Sequence, residues 1–228
     1  MRIAEIYRSV QGEGFLTGTE SSFVRASGCN LRCSYCDTPY ASWEPEGEDL
    51  AVEAILARLD EIDCRHVVIT GGEPMLFAEL IPLADGLRAR GRHITIETAG
   101  TLYLPLACDL MSISPKLANS TPDNSAGRGW TSRHERSRHV PEVIRRLVQE
   151  YPYQLKFVVG NIADCEEVER YLGDFPQIDR QRVMLMPMGI ERGELERAAR
   201  WLEPYCREAG LHYCPRKHIE WFGLVRAT

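Results

Sequence analysis

The sequence lacks several features that would assign it to large classes of proteins. It has no run of about 18 apolar residues and no apolar core close to its first residue, so we expect neither a membrane span nor a signal peptide. It also lacks an excess of positive charge, because 27 lysines and arginines stand against 33 aspartates and glutamates. The resulting net charge of −6 argues against a broad nucleic-acid-binding surface. We expect a cytoplasmic protein without a membrane or direct nucleic-acid partner.

A second pair of metal ligands is also missing. The chain has eight cysteines, but no further C-x2-C or H-x3-H pattern accompanies the one cysteine group, which disfavours a four-ligand structural zinc site. In a chain without a secretory signal, cysteines are expected to be reduced. Five of them are scattered and are interpreted as small buried residues. These five are Cys64, Cys108, Cys165, Cys206 and Cys214.

The remaining three cysteines form a compact group. Cys29, Cys33 and Cys36 follow a C-x3-C-x2-C spacing in a predicted loop over 29–38. An iron–sulfur cluster that only carries electrons takes four protein thiolates. Three thiolates leave one iron of a [4Fe–4S] cluster free to bind another molecule. The spacing therefore predicts a reactive cluster, with a zinc site or a non-catalytic iron–sulfur protein as alternatives.

Strand-type and helix-type segments alternate along the chain. Strands are predicted over 21–26, 65–70, 93–98, 109–114, 154–159 and 182–186, and helices over 49–62, 79–90, 141–150, from 164 onward and over 194–208. Repeated β/α order implies a parallel sheet with right-handed crossovers. Six repeats are too few to close an eight-stranded barrel. We therefore predict an α/β fold, a partial, open (β/α)6 barrel of the TIM type, in a single domain over 1–228.

Local signals refine some boundaries. Asp49 is a predicted N-cap, and Asp164 with Glu167 three residues later has the spacing of a capping box. Residues 118–139 are rich in Asn, Ser, Gly and Arg, including Arg128. We predict an irregular segment there, either a lid that orders on substrate binding or a solvated loop.

Polar motifs follow the predicted strands. They are Gly71-Gly72-Glu73-Pro74, Glu97-Thr98-Ala99-Gly100, Ser114-Pro115-Lys116 and Met186-Pro187-Met188-Gly189. The carboxyl ends of parallel strands lie at one edge of a sheet, where α/β folds place their ligands. The motifs therefore predict one shared site.

Two further features precede the cysteine loop. Gln11-Gly12-Glu13-Gly14 has the composition of a tight turn, which either presents Glu13 to a ligand or is an ordinary surface turn. Arg25 ends the first predicted strand, as a surface charge or as a bidentate clamp for a carboxylate. Its position beside the cysteine loop favours the clamp.

Taken together, these motifs resemble those of the radical S-adenosylmethionine (SAM) enzymes and, among them, of the 7-carboxy-7-deazaguanine synthase family. The resemblance spans nearly the whole chain, and His218, Trp221 and Gly223 resemble one branch of the family. It implies ring contraction of 6-carboxy-5,6,7,8-tetrahydropterin to 7-carboxy-7-deazaguanine with loss of ammonia, in 7-deazapurine biosynthesis of the queuosine type. It further implies regenerated SAM, a [4Fe–4S] cluster, Mg²⁺, an electron donor such as flavodoxin or ferredoxin, and a homodimer.

The resemblance also implies a role for each motif, with no side-chain acid or base because the radical comes from SAM. Cys29, Cys33 and Cys36 would bind the cluster, and Thr38 would bind Mg²⁺. The SAM site would comprise Tyr35, Cys36, Asp37, Gly72, Glu73, Glu97, Ser114, Pro115, Lys116, Met186, Pro187, Met188 and Gly189. The substrate site would comprise Val10, Gln11, Gly12, Glu13, Arg25, Thr70 and His218.

Two other functions remain open. A glycyl-radical-activating enzyme that acts on a protein partner would share the cysteines and the Gly-Gly-Glu-Pro motif, but its task does not require residues 11–14 together with Arg25. An iron–sulfur electron carrier or a metal-stabilised binding module would perform no chemistry. The incomplete thiolate set and the strand-end motifs argue against this second alternative.

Overall fold

A computed structural model describes residues 1–123, 127 and 129–227, and in this part of the chain one nine-stranded sheet carries the fold. The strands are β1 (Arg2–Val10), β2 (Glu20–Ala26), β3 (Glu48–Asp49), β4 (His66–Gly71), β5 (His93–Thr98), β6 (Leu110–Ile113), β7 (Tyr153–Val159), β8 (Val183–Pro187) and β9 (His212–Tyr213). Their spatial order is β3-β1-β2-β4-β5-β6-β7-β8-β9. Parallel pairing runs from β2 through β9, whereas β1 is antiparallel to both β2 and β3.

The helices connect these strands. They are α1 (Pro39–Ser42), α2 (Val52–Ile62), α3 (Leu80–Ala89), α4 (Trp130–Ser137), α5 (Pro141–Glu150), α6 (Ile162–Asp174), α7 (Arg192–Ala209) and α8 (Lys217–Phe222). None of the helices in the described residues is long and apolar enough to cross a membrane.

The open parallel sheet confirms the predicted partial barrel. The six predicted strands correspond to β2 and β4 to β8, in the expected parallel arrangement. β1, β3 and β9 are not predicted from the sequence. β3 and β9 have only two residues each, which is too short for an alternating pattern, and β1 is half-buried along most of its length. β1 lies next to β2 and therefore reaches the edge where the strands end.

One β/α connection differs from the predicted repeat. Residues 99–109, which join β5 to β6, contain no helix in the described structure. Leu106, Ala107 and Cys108 are buried there and join the main apolar core. An irregular segment thus covers this part of the sheet in place of a helix.

Side chains on the parallel strands alternate between two environments. One set packs under the helices and forms the core, with Ile69, Ile96, Met111, Leu155 and Leu185 completely buried. The intervening residues point to the other face of the sheet. On that face lie polar side chains, namely Thr70, Glu97, Ser112 and Lys156. The period of two therefore places polar groups inside the partial barrel and apolar groups outside it.

Two predicted helix caps are wrong. Asp49 belongs to β3, where it pairs with Arg2, and α2 begins after Ala51 instead. The capping box of α6 is formed by Asn161 as the N-cap and Asp164 as the third helical residue, so Asp164 does not begin the helix as predicted. In both cases the predicted residue has a side chain that suits an N-cap and lies within three positions of the true N-cap. Only the backbone conformation shows which of the two residues begins the helix.

The segment 118–139 is more regular than the sequence predicts. It contains a 3₁₀ turn over Ala118–Ser120 and the eight-residue helix α4. His134 of α4 is completely buried, and its two ring nitrogens lie 3.2 Å from the backbone N of Arg32 and 2.9 Å from Oγ of Ser120. Helix α4 therefore packs on the cysteine loop. Arg128 lies outside the described residues.

Replacement of Gly71 by alanine is expected to destabilise the fold by about 3 kcal/mol. Gly71 ends β4 with φ +129°, and a Cβ there would overlap the carbonyl oxygen of Ala26 on β2. The matched control is Gly173→Ala in α6, where the added Cβ would have no atom within 4 Å apart from its chain neighbours and the nearby backbone of its own helix. This control should stabilise the protein by about 0.5–1 kcal/mol. Urea unfolding measures both, and equal effects would contradict this account of Gly71.

Candidate active site

A cavity of about 550 Å³ lies at the carboxyl ends of the parallel strands. Side chains from β2, β4, β5, β7 and β8 line it, together with the cysteine loop, the turn after β1 and the segment around α8. Each parallel strand ends at this edge, so residues far apart in the sequence meet there.

The cysteine loop provides the sulfur atoms of the cavity. Cys29, Cys33 and Cys36 all line it, and they are free thiols. Two side chains donate hydrogen bonds to backbone carbonyls of this loop. Trp43 Nε1 donates to the Cys33 carbonyl at 3.2 Å, and Arg32 Nη1 donates to the Cys29 carbonyl at 2.9 Å. The three thiols thus face one space from a braced loop.

The donor set fits a multi-iron cluster better than a single ion. Among the described residues, no three His, Cys, Asp or Glu side chains converge on one ion. A cluster takes one thiolate per iron and does not need that convergence. Burial raises the pKa of Cys29 to about 12 and that of Cys33 to about 11, so iron must displace their protons when it binds.

The glycines at the end of β4 bring backbone atoms to the cavity. Gly71 and Gly72 line it, and a Cβ on Gly72 would overlap the carbonyl oxygen of Gly28, which precedes the first cysteine. The Glu73 backbone N donates to that same carbonyl at 2.8 Å. These contacts fix the strand end against the cysteine loop.

The Glu73 side chain has a different environment from the one expected for a SAM ligand. It is completely buried, and it accepts hydrogen bonds from Thr98 Oγ1 at 2.8 Å and from the backbone N of Ala99 at 2.8 Å. Burial raises its pKa, although these donors oppose the shift. In the described structure it does not line the cavity. Glu73 therefore joins the ends of β4 and β5, and its side chain is already satisfied.

Lys116 contributes an uncompensated cation. Its Nζ donates to Ser114 Oγ at 2.7 Å, and both residues line the cavity. No carboxylate of the described residues lies within 4.0 Å of this ammonium group. Arg138 holds the Lys116 carbonyl at 3.0 Å, which anchors the backbone beneath it. The arrangement suits an anionic group of a ligand.

A buried ionic network forms the opposite part of the cavity. Glu13 accepts from Lys156 at 2.8 Å and from Arg216 at 3.3 Å, and His218 Nδ1 lies 3.8 Å from the same carboxylate. Lys156 also reaches Glu97 at 3.3 Å. The side chains of Lys156 and Arg216 are only 4% and 7% exposed, so these charges compensate each other inside the protein.

The network sets the protonation states of its members. Burial alone would raise the pKa of Glu13, but the charges of Lys156 and Arg216 hold it well below its ordinary value. Burial alone would lower the pKa of Lys156, but Glu13 and Glu97 raise it well above its ordinary value. Burial lowers the pKa of His218 despite its proximity to Glu13. At neutral pH the cavity therefore contains a charged Glu13–Lys156 pair beside a neutral histidine.

Glu97 extends the network toward the turn after β1. Its two carboxylate oxygens accept from Gln11 Nε2 at 3.3 Å and from Thr70 Oγ1 at 2.8 Å. Gln11 is buried, and its Oε1 accepts from the Glu13 backbone N at 3.3 Å. Residues 11–13 of the Gln-Gly-Glu-Gly segment therefore line the cavity, and Gln11 is buried there.

Arg25 lines the cavity but already has a carboxylate partner. Its Nε lies 2.5 Å from Glu5 on β1, and its Nη2 donates to the Tyr7 hydroxyl at 2.8 Å. Tyr40 donates to the same Glu5 oxygen at 2.8 Å. A guanidinium has five N–H donors, so these contacts leave others available to a ligand. The sequence did not indicate Glu5, because β1 was not predicted.

The C-terminal segment closes one side of the cavity. Lys217 N donates to the Gly12 carbonyl at 3.0 Å, and Arg216 bonds to the Gly189 carbonyl at 2.6 Å and to the carboxylate of Asp37. Residues 223–227 also line the cavity. In that stretch the Arg226 guanidinium lies 3.6 Å from the ring centre of Tyr40.

Most residues predicted for the site line this one cavity. Those that do so are Val10, Gln11, Gly12, Glu13, Arg25, Cys29, Cys33, Tyr35, Cys36, Asp37, Thr38, Thr70, Gly72, Glu97, Ser114, Lys116, Met186, Met188, Gly189 and His218. Three predicted residues, all within the described structure, do not: Glu73, Pro115 and Pro187. Lys156 and Arg216 also line the cavity but are not among the residues predicted for the site. Lys156 lies between Leu155 and Phe157 in the buried strand β7. A lysine at such a position indicates a buried charge that needs a partner, and it could have been used to predict the site.

Comparison with known proteins agrees with this geometry. Residues 23–118, which contain the cysteine loop and the motifs after β4, β5 and β6, match the radical SAM superfamily. The chain is 44% identical to 7-carboxy-7-deazaguanine synthase of Rhodopirellula baltica, over 99% of this chain and 88% of that protein. It is 40% identical to the enzyme of the same name from Halobacterium salinarum, over 95% of this chain and 88% of that protein. The crystal structure of QueE from Escherichia coli matches with a TM-score of 0.71 at 25% identity, covering 95% of this chain and 94% of that one.

The match of residues 23–118 and the identity to these two synthases over nearly the whole chain show that the protein is a radical SAM enzyme, as its open parallel barrel and cysteine loop suggest. Membership implies SAM and an iron–sulfur cluster as cofactors, and a reductant for the cluster. Within the superfamily, identity over nearly the whole length makes the chain a member of the 7-carboxy-7-deazaguanine synthase family.

Proposed function

We propose that the protein converts 6-carboxy-5,6,7,8-tetrahydropterin to 7-carboxy-7-deazaguanine with loss of ammonia, in 7-deazapurine biosynthesis of the queuosine type. The observation that carries the proposal is that one cavity combines three free thiols with a buried network of carboxylates and cations. The thiols suit a cluster with one open iron, and the network suits a small polar heterocycle. A protein substrate would not require such a group of buried charges beside the thiols.

The cysteine side of the cavity would hold the cofactors. Cys29, Cys33 and Cys36 would each bind one iron of a [4Fe–4S] cluster. When bound, the cluster and SAM supply an electron and a 5′-deoxyadenosyl radical. Lys116, which has no carboxylate partner among the described residues, would bind the carboxylate of SAM. The backbone oxygens of residues 71–72 would accept hydrogen bonds from the ammonium group of SAM.

Replacement of Lys116 by methionine is expected to weaken SAM binding by about 10- to 100-fold, the range of a charge-assisted hydrogen bond. Methionine keeps most of the side-chain volume and removes the charge. Calorimetric titration of SAM into the cluster-loaded protein measures the effect. Lys217→Met is the matched control, because Lys217 pairs with Glu220 outside the cavity, at 2.7 Å. An unchanged SAM affinity in Lys116→Met would refute this role.

The ionic side of the cavity would hold the pterin. Glu13 and Glu97 present carboxylate oxygens that suit the N–H edge of the pterin ring. The remaining donors of Arg25 would bind the substrate carboxylate, so that the guanidinium is shared between Glu5 and the substrate. The buried walls exclude water from the reacting carbon.

Thr38 would bind Mg²⁺ through its hydroxyl group. Thr38 lines the cavity beside Cys36, with 3.8 Å between Oγ1 and Sγ. Asp37 is engaged by Arg216, so the protein offers few hard oxygen ligands there. A single hydroxyl is a weak site for Mg²⁺, which otherwise keeps its waters or binds charged oxygens of a substrate.

Mg²⁺ is therefore expected to bind at least tenfold more tightly when the pterin is present than when it is absent, because the substrate carboxylate completes the site. Isothermal calorimetry with SAM-loaded enzyme compares the two states. Thr38→Val is the control variant and should lose the gain. Tight Mg²⁺ binding without substrate would contradict the proposal.

We also infer the setting in which the enzyme works. The three thiols must stay reduced to bind iron, which supports a cytoplasmic location. Exposed apolar side chains near the C-terminus, including Trp221, Phe222 and Leu224, support a homodimer. The electron donor would be flavodoxin or ferredoxin. Light scattering at several concentrations measures the oligomeric state.

The proposal is tested by an anaerobic assay with reconstituted enzyme, dithionite, SAM, Mg²⁺ and the carboxytetrahydropterin. We expect a mass spectrum with 7-carboxy-7-deazaguanine and release of one ammonia per product. Formation of 5′-deoxyadenosine without a deazapurine would reject the substrate and favour a glycyl-radical-activating enzyme. A protein that cannot cleave SAM would be a non-catalytic iron–sulfur protein.

A further inference from the structure

Helix α4 presents a local concentration of positive charge on an acidic protein. Arg133 and Arg136 are exposed and lie three residues apart, so they occupy the same side of the helix. The Arg133 guanidinium lies 4.6 Å from the ring centre of Trp130, the first residue of α4. We call Trp130, Arg133 and Arg136 the Trp130 surface. The whole chain has a net charge of −6, so the positive charge of the Trp130 surface is unusual for this protein.

The charges of the Trp130 surface remain available to a partner. Within the described residues, no carboxylate lies within 4.0 Å of the Arg133 or Arg136 guanidinium. Glu135 lies between them in sequence, but Arg138 holds it at 3.0 Å and Thr121 donates to it. The one acidic side chain of the helix is therefore exposed but already paired, whereas the two arginines have no such partner in the described structure.

The Trp130 surface is connected to the cysteine loop at Arg32. The Arg32 guanidinium lies 4.2 Å from the ring centre of Trp130, so the indole is contacted by both Arg32 and Arg133. Arg32 Nη1 also donates to the Cys29 carbonyl at 2.9 Å. His134 of α4, which is buried, accepts from the Arg32 backbone N at 3.2 Å. A molecule docked on this surface would therefore lie next to the cluster loop.

We propose that the Trp130 surface is the docking site of an acidic one-electron redox protein that reduces the cluster. The proposal rests on the proposed function, because it requires a cluster bound by Cys29, Cys33 and Cys36. Carboxylates around the donor's cofactor would pair with Arg133 and Arg136 and bring that cofactor against Trp130. The donor is oxidised by one electron and the cluster is reduced by one electron, with no covalent bond formed or broken.

Charge complementarity favours a protein donor over a nucleic acid. Arginine and tryptophan together also suit the bases and phosphates of single-stranded RNA. Binding of an RNA strand, however, requires further cations that contact its phosphates. The chain as a whole is acidic and does not favour such contacts. A compact acidic protein needs only the local pair of arginines.

The test uses cluster-loaded enzyme and reduced flavodoxin as the donor. Arg133→Glu/Arg136→Glu reverses both charges of the Trp130 surface. The matched control is Arg197→Glu/Arg200→Glu, an exposed pair with the same spacing on α7. At low ionic strength we expect the double variant on α4 to lose about tenfold in flavodoxin affinity and in flavodoxin-driven SAM cleavage. Cleavage driven by dithionite should stay at the wild-type rate, and the control pair should change neither quantity.

Four other outcomes would contradict the docking proposal, and a fifth would contradict the proposed function instead. Unchanged flavodoxin affinity in the α4 variant would overturn it, as would equal losses in the α4 and α7 variants. Equal losses with flavodoxin and dithionite would assign the arginines to the integrity of the cysteine loop. Loss of binding to a short single-stranded RNA with intact flavodoxin binding would make the surface a nucleic-acid site. A wild-type protein without dithionite-driven cleavage would instead refute the proposed function, and flavodoxin affinity would still test the surface.

Discussion

Replacement of Cys33 by alanine is expected to abolish cluster binding, so that iron and sulfide content fall to background and SAM is no longer cleaved. Cys33 is one of three thiols in the cavity, and the described structure places no other cysteine there to substitute for it. With two thiolates a [4Fe–4S] cluster loses a second protein ligand. Iron analysis and the visible absorbance of the reconstituted protein measure the loss independently of activity.

The control for this variant is Cys165→Ala. Cys165 is completely buried in α6, within the main apolar core and away from the cavity. The control should retain full iron content and lose about 1 kcal/mol of stability from the missing sulfur atom. A Cys33→Ala protein that keeps a normal cluster, or a Cys165→Ala protein that loses it, would show that the cluster is bound elsewhere.

Replacement of Lys156 by methionine is expected to lower the free energy of unfolding by about 3 kcal/mol, the cost of breaking a buried ion pair. The Lys156 side chain is 4% exposed and compensates Glu13 at 2.8 Å and Glu97 at 3.3 Å. Methionine fills a similar volume but leaves these carboxylates with less compensating charge. Urea unfolding near neutral pH measures the loss.

The partner variant Glu13→Gln separates the ion pair from general packing damage. If Lys156 acts mainly by compensating Glu13, the double variant should be less destabilised than the sum of the two single variants, by 1 kcal/mol or more as a rough expectation. Additive effects would contradict the pairing.

The pH dependence of the Lys156 effect follows from the direction of the Glu13 shift. The pKa of Glu13 is lower in the folded protein than its ordinary value of 4.5, so the stability it contributes is present above that pH and is lost as the pH falls toward the folded value. The difference between wild type and Lys156→Met should therefore be largest near neutral pH and shrink below pH 4.5. A constant difference across this range would mean that the lysine acts by packing alone.

The sequence predicts those parts of the site that are local in the chain. The three cysteines lie within eight residues of each other, and each strand-end motif follows directly from its own strand. Parallel strand order then brings these motifs together without any further information. For the same reason the open parallel barrel could be predicted from the alternation of segments.

The remaining parts depend on pairings between distant residues. Lys156 follows its partner Glu13 by 143 residues, and Arg216 follows Asp37 by 179. Nothing in the local pattern states which acid meets which base. Arg25 illustrates the same limit, because its partner Glu5 lies on β1, a strand whose weak alternation hid it. Glu73 was assigned to SAM from its motif, whereas burial and the donors from Thr98 and Ala99 leave its side chain outside the cavity.

The most direct test of the proposed function is the number of deazaguanine molecules formed for each SAM consumed, measured by mass spectrometry under anaerobic conditions with a limiting amount of SAM. If cofactor and pterin share the one cavity and SAM is regenerated there, many product molecules form per SAM, and none forms with Cys33→Ala. Consumption of one SAM per product would contradict the regeneration of SAM, and consumption of SAM without any deazaguanine would contradict the function itself.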